Sequence, residues 1–403
     1  MAGQPIHFPN GRGQQLSGIL DRPPGKPRAV ALFAHCFTCG KNLRAAHHIS
    51  QALVAEGVAV LRFDFTGLGA SEGEFAAESF SSNVEDLLSA ARFLATEGLA
   101  PQILVGHSLG GTAQLLAAPQ VPSCVAVATI GAPAAAEHVA RLVAGERATI
   151  EREGEAEVSL AGRPFRIRRQ FLDDIARQPL PQIVRELQRA LLIFHSPADE
   201  VVDIANASQL FQHARHPKSF VSLDRADHLL SSNADSRYVG IVLAAWATKY
   251  LDQTERGWML PARAGESVAV CDRDGFLTEV NASGHRLLAD EPESAGGTNL
   301  GPSPYDLLAA ALAACTSMTL QAYARLKAIP LEAALVRVRH DKIHALDCAA
   351  CETREGRIDR FERVLELQGQ LDTEQRRKLL EIADKCPVHR TLTSEVRIDA
   401  ALV

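Results

Sequence analysis

Short continuous apolar runs alternate with amphipathic stretches from Ala29 onward: AVALFAHCF, NLRAAHHISQALVAEG, VAVLRFDFTG, SNVEDLLSAARFLATEG and PQILVGHSLGG follow one another. Apolar runs of that length predict strands buried on both faces. The stretches between them repeat at helical period, so the order is strand, helix, strand in a parallel sheet. After a break the rhythm returns in PSCVAVATIGAP, RALLIFHSPADEVV and KSFVSLDRADHLL, and SSNADSRYVGIVLAAWATKYL predicts a closing amphipathic helix. Residues 139–185 interrupt the rhythm and are rich in charge, the pattern of a small cap over the carboxyl edge of the sheet.

Periodicity is lost again in LDQTERGWMLPARAGE, which places a linker at 254–265 between a first domain, 1–253, and a second, 266–403. Beyond it SVAVCDRDGFLTEVNASGHRLLAD predicts a hairpin, and SPYDLLAAALAACTSMTLQAYARLKA one long, largely apolar helix. VRVRHDKIHALD and DRFERVLELQGQL alternate with period two, TEQRRKLLEIADK predicts a charged helix and TSEVRIDAAL a last strand. Strands gathered around one central helix give an α+β second domain. No internal repeat links the halves.

The length of 403 residues exceeds what one core usually organises and fits two domains. With 46% apolar and 22% charged residues and a net charge of -6, the chain has the composition of a globular protein without a nucleic-acid footprint. No stretch reaches the roughly 20 consecutive apolar residues of a membrane helix, and Met1–Asn10 lacks the pattern of a signal peptide, so a cytoplasmic location without membrane association is expected. In that reducing compartment the eight cysteines read as thiols, metal ligands or catalytic groups before structural disulfides.

Gly106-His107-Ser108-Leu109-Gly110 falls between a predicted strand and a predicted helix. The turn there is so sharp that its neighbours must be small, and it thrusts the serine into a site. A serine hydroxyl needs an imidazole to take its proton and a carboxylate to orient that imidazole. Asp199, after ALLIFHSPAD, and His228, after VSLDRAD, supply both in the order Ser, Asp, His, each just past a strand. Phe37, after the strand AVALFA, and Leu109 are the candidate oxyanion-hole amides. Asp203 and Asp227 read as structural acids, and Asp64 as the organiser of the loop around Gly67.

With Arg62-Phe63-Asp64 and Gly67-Leu68-Gly69-Ala70-Ser71, these residues resemble the α/β-hydrolase superfamily over roughly residues 15–252. The resemblance implies the α/β-hydrolase fold, a mostly parallel sheet with helices on both faces. It also implies esterase, lipase-like or peptidase-like chemistry on a carbonyl, through an acyl-enzyme and with a small ester or acyl substrate, and no cofactor or metal is expected.

Cys315 lies in the apolar helix, where a core role is the ordinary one. Cys386 precedes Pro387, whose place at a first helical position puts the thiol near a helix N-terminus. Two such thiols are the minimum for peroxide reduction. Gly296-Gly297-Thr298, Gly301-Pro302-Ser303-Pro304-Tyr305-Asp306-Leu307-Leu308, Ala314-Cys315-Thr316 and Cys386-Pro387-Val388-His389 resemble the osmotically inducible protein C (OsmC) and organic hydroperoxide resistance family, over about residues 265–403. The whole chain resembles a bacterial fusion of the two families. The second resemblance implies Cys315 as peroxidatic and Cys386 as resolving thiol, an organic hydroperoxide as substrate, a dithiol reductant and a homodimer built by this domain. Tyr305 stands ten positions before Cys315, where that family carries glutamate. Asp306 is the nearest carboxylate, and Arg286 is the candidate for the arginine that supports the thiolate. A dimerising or hydrophobic-ligand-binding module without turnover is the alternative for this domain. Cys348-Ala349-Ala350-Cys351 near His340 and His344 has zinc-ligand chemistry but lacks a second pair.

Overall fold

The computed structural model describes residues 3–36, 40–75, 78–134, 145–160, 163–251, 261–271, 275–344 and 355–402. Contacts divide the chain into two units, Met1–Leu288 and Ala289–Val403. The linker expected at 254–265 lies for the most part outside the described residues.

The first unit contributes strands β1 (Gln4–Pro9), β2 (Gln15–Asp21), β3 (Ala29–Ala34), β4 (Val58–Phe63), β5 (Ile103–His107), β6 (Ala126–Ile130), β7 (Glu155–Leu160), β8 (Arg163–Arg168), β9 (Ala190–His195) and β10 (Lys218–Ser222). Its helices are α1 (Arg44–Ala55), α2 (Phe80–Thr96), α3 (Leu109–Ala117), α4 (Arg147–Glu153), α5 (Arg169–Ala176), α6 (Leu180–Arg185), α7 (Ala205–His213) and α8 (Asn233–Ala247). Eight strands form one sheet in the order β1-β2-β4-β3-β5-β6-β9-β10. The β1–β2 hairpin joins it antiparallel through β4, and the pairs from β4 to β10 are parallel.

Every residue of β3, β4, β5, β6 and β9 is buried, which is why these strands read as unbroken apolar runs. A parallel sheet covered by helices on both faces leaves no wet side for polar alternation. Helix α1 turns Ala46, Ile49 and Leu53 inward at helical spacing and packs on α8, while α2 packs on α3 and α3 on α6. Ser79 and Ser82 close a capping box at the start of α2, fixing where that helix begins.

The cap region is more ordered than its charge suggests. It holds the antiparallel β7–β8 hairpin and helices α4, α5 and α6. Ile150, Val158, Ile167, Phe171, Ile175, Leu180 and Val184 bury in the same apolar cluster as the sheet core, and Phe171 meets Phe80 of α2 edge to face. The charges lie on the outer side of short amphipathic elements, so the apolar face was diluted in the sequence.

After residue 260, β11 (Ser267–Cys271), β12 (Thr278–Ala282) and β13 (His285–Ala289) form a three-stranded sheet instead of the expected hairpin. Ser283 and Gly284 both take the left-handed conformation, as a two-residue hairpin turn requires, so His285–Ala289 returns as a third strand.

In the second unit α9 (Pro304–Leu326) lies against β14 (Ala333–His344), α10 (Thr373–Ala383) and α11 (Pro387–Leu392), and β14 pairs antiparallel with β15 (Arg357–Gln368) over twelve residues. By length and composition alone α9 could cross a membrane. Leu320 and Ala324 on it instead pack with Leu331, Leu379, Ile382 and Ala383 to make the core. That core is small, and Leu308, Met318, Leu326, Leu335, Val364 and Leu380 are exposed around it. The last strand expected in TSEVRIDAAL forms no ladder among the described residues. Its apolar alternation stands in solvent, with Val396 55% and Ile398 88% exposed, because no described strand edge pairs with it.

Candidate active site

Ser108 sits between β5 and α3 with φ 55° and ψ -129°, a left-handed conformation that a non-glycine residue holds only under constraint. The constraint is close backbone approach. A Cβ on Gly106 would lie 2.4 Å from the Gly110 carbonyl oxygen, and one on Gly110 would lie 2.5 Å from that of His35. Glycine is therefore required at both flanks, and the Ser108 amide is anchored to the Ile130 carbonyl at 2.8 Å.

His228 Nε2 lies 3.0 Å from Ser108 Oγ, and His228 Nδ1 lies 2.7 Å from Asp199 Oδ2. The other Asp199 oxygen accepts the amides of Val201 and Val202 at 2.9 and 2.8 Å. Burial pushes the Asp199 carboxyl upward, but the His228 bond and these two amides outweigh it and hold it below the ordinary carboxylate range. The carboxylate fixes the Nδ1–H tautomer, which leaves Nε2 free to accept the serine proton.

Three buried histidines that the sequence does not single out as site residues adjoin this arrangement. His35, His107 and His195 stand at the ends of β3, β5 and β9. Each bonds a backbone carbonyl on a loop at the same edge: His35 Nδ1 to Cys36 at 2.6 Å, His107 Nε2 to His228 at 2.6 Å and His195 Nε2 to Val202 at 2.7 Å. A carbonyl accepts only from N–H, so each ring donates there. Burial, then the neighbouring His228, pushes His107 down to about 3, and burial likewise lowers His35. Histidine closing an apolar run, three times over, was the signal available.

Leu109 is the first residue of α3, where an amide has no acceptor within its own helix. Phe37 lies outside the described residues. Cys36 is disulfide-bonded, contrary to the expectation of a free thiol. Lys41 is tied down by charge. Lys41 pairs with Asp64 through its ammonium and gives its amide to the same carboxylate at 2.7 Å. Arg62 bonds the Lys41 carbonyl and, at 2.8 Å, Asp21. Asp64 also accepts the Ala70 amide at 3.0 Å, organising the loop around Gly67. Asp203 and Asp227 bond local backbone amides, those of Ala205 and Leu229, at 2.7 and 2.9 Å.

In the second unit Cys386 is buried at the start of α11, and half-buried Cys315 reaches it from α9. The sulfur of Cys386 accepts the His389 amide at 3.3 Å and the Thr316 hydroxyl at 3.6 Å. Burial raises this thiol, yet those donors and Cys315 bring it below the ordinary cysteine value. The two supporting residues expected from the sequence have other partners within their own units. Asp306 is exposed and closes a capping box with Ser303, bonding its hydroxyl at 2.7 Å, because its position in the first turn makes it a cap. Arg286 belongs to the first unit, where it bonds the Ala55 carbonyl at 2.8 Å and lies 3.6 Å from Glu279. The guanidinium beside the thiols is that of Arg363 on β15, which bonds Thr316. Tyr305 stacks on His340 with ring centroids 4.1 Å apart. Cys348 and Cys351 lie outside the described residues, and His340 bonds Asp359 at 2.8 Å.

Comparison with known proteins locates both halves. Residues 25–153 match the family model of serine aminopeptidase, S33, and residues 297–401 that of OsmC-like protein. The esterase domain of a Rhodothermus marinus protein is 50% identical, with a TM-score of 0.53, and the match covers 62% of this chain and all of that one. The mitochondrial palmitoyl-protein thioesterase ABHD10 of Rattus norvegicus is 29% identical over 51% of this chain and 70% of its own length. The monoacylglycerol lipase of Mycolicibacterium smegmatis is 27% identical over 47% of this chain and 76% of its own length.

Proposed function

From a chain that belongs to the α/β-hydrolases in its first unit and carries an OsmC-like domain in its second, we propose a serine hydrolase of acyl esters joined to a thiol-dependent hydroperoxide reductase. The line from Ser108 Oγ through His228 to Asp199 carries the first part. In this reading Ser108 Oγ attacks the acyl carbonyl as His228 Nε2 takes its proton. The developing oxyanion is held by the Leu109 amide, with Phe37 as second donor. His228 then protonates the leaving alcohol or thiol, and the acyl-enzyme is hydrolysed by a water that the same imidazole deprotonates. Thioesterase and lipase relatives support an acyl substrate, and the apolar inner side of the cap suits a hydrophobic one. A fluorophosphonate probe is expected to label the native protein and not Ser108→Ala. Unlabelled folded native protein would end this reading.

For the second unit, the adjacency of Cys315 and Cys386 carries the proposal. The Cys315 thiolate attacks a hydroperoxide, forming a sulfenic acid and releasing an alcohol. Cys386 displaces water to give a disulfide, and an external dithiol reduces it. The exposed apolar face of α9 and the unpaired stretch after Ser394 support a homodimer built by this unit. Hydroperoxide consumption with a dithiol should be lost in Cys315→Ser. Equal rates in both proteins would leave the dimerising or ligand-binding module, a reading that Tyr305 in place of a carboxylate favours.

A further inference from the structure

One side-chain chain leads from the helix-covered face of β15 into the thiol pair. Arg363 Nη1 donates to Thr316 Oγ1 at 3.1 Å and to the Ala383 carbonyl at 3.0 Å, and Nη2 donates to Asp384 at 2.5 Å. Thr316 is wholly buried. A guanidinium only donates and a hydroxyl has one hydrogen, so the Thr316 lone pair is taken by Arg363 and its hydrogen is turned to Cys386 Sγ at 3.6 Å. The direction is fixed: Arg363 to Thr316 to Cys386. Bonds in such a series polarise one another, and a donor bonded to a cation is a stronger donor. The titratable and charged groups that surround Cys386 on the packed elements are Cys315 on α9, Arg363 on β15, Asp384 and Lys385 between α10 and α11, and His389 on α11. Asp384 holds the outer end of the guanidinium and is 62% exposed, so the positive charge is only partly offset at its inner end.

We propose that Arg363, acting through Thr316, is the positioning residue that readies Cys386 as the nucleophile of the second, disulfide-forming step. The inference rests on the thiol-reductase reading of the second unit and gives its second step a driving group. The Cys386 thiolate attacks the sulfur of a Cys315 sulfenic acid, the S–S bond forms and the S–O bond breaks. Hydroxide leaves and takes a proton from solvent as water. The Thr316 hydrogen bond supports the charge until the sulfur gives it up.

The test is the ionisation of Cys386 itself, followed by the 13Cβ chemical shift against pH in reduced, full-length protein carrying 13C-labelled cysteine, with Cys386→Ser assigning the signal. Thr316→Val keeps the shape and removes the hydroxyl. It should move the midpoint up by about one pH unit, so that thiolate at neutral pH falls about tenfold. Thr316→Ser should restore the native midpoint, and Arg363→Gln should move it as Thr316→Val does. A Thr316→Val midpoint equal to the native one overturns the proposal, even if Arg363→Gln does not fold. A native protein that consumes no hydroperoxide, with the midpoint shift intact, would remove the reductase reading and leave the relay standing.

Discussion

His107 Nε2 donates to the carbonyl oxygen of His228 at 2.6 Å, so a buried neutral histidine holds the backbone of the residue that faces Ser108. The same device recurs at His35 and His195, and together the three tie strand ends to the loops that carry the site.

Stability should therefore fall in mild acid. His107 is held at about 3 in the folded chain against about 6.5 unfolded, and His35 is lowered in the same direction. Their contribution is complete above pH of about 6.5 and is lost as pH falls toward 3, because only the unfolded chain takes up protons across that window. Each histidine gives a slope of up to about 1.4 kcal/mol per pH unit. Urea unfolding between pH 7 and 4 should show this loss, and His107→Gln should be less stable at pH 7 by about 1–3 kcal/mol with a shallower slope.

Asp199→Asn should reduce kcat by about 10⁴ with little change in KM, since the amide no longer holds His228 in the Nδ1–H form. Its carbonyl can still accept the Val201 and Val202 amides, so thermal unfolding should shift far less than activity. Steady-state kinetics beside calorimetry separate the two effects.

Removing one partner of the buried pair under the β3 loop should cost about 3–5 kcal/mol. Asp64 is 3% exposed and Lys41 10%, so Asp64→Ala strands the lysine charge away from water. Arg92 and Glu85, 59% and 47% exposed, form a pair at 2.5 Å that should contribute no more than about 1 kcal/mol. Chemical denaturation of Asp64→Ala and Arg92→Ala gives the contrast.

Sedimentation equilibrium should return twice the 43.4 kDa mass of the chain. Ending the chain after Ser394 should weaken that association, because the apolar positions Val396 and Ile398 have no strand partner among the described residues of one chain.

The hydrogen-bonded set of Ser108, Asp199 and His228 was legible because each of the three follows a strand whose apolar run is unmistakable. The clasping histidines sit in the same runs, but a lone histidine beside apolar residues carries no sign of the carbonyl it will meet. Arg363 is 47 positions from Thr316 and was equally silent, since a long-range bond has no local pattern. For Arg286 and Asp306 the resemblance to the family suggests support of the thiols, but local forces give them other partners within their own units: Asp306 is a first-turn cap, and Arg286 bonds the open end of α1. The cap elements were hidden because short helices and a hairpin with charged outer faces dilute their apolar side.

The most direct measurement is hydrolysis of p-nitrophenyl esters of increasing acyl length by the full-length protein, with Ser108→Ala measured alongside. We expect turnover by the native protein that is abolished in Ser108→Ala. Equal rates in the two proteins, or none in a folded native protein across the series, would contradict the assignment of Ser108, His228 and Asp199 as an acyl-ester hydrolase.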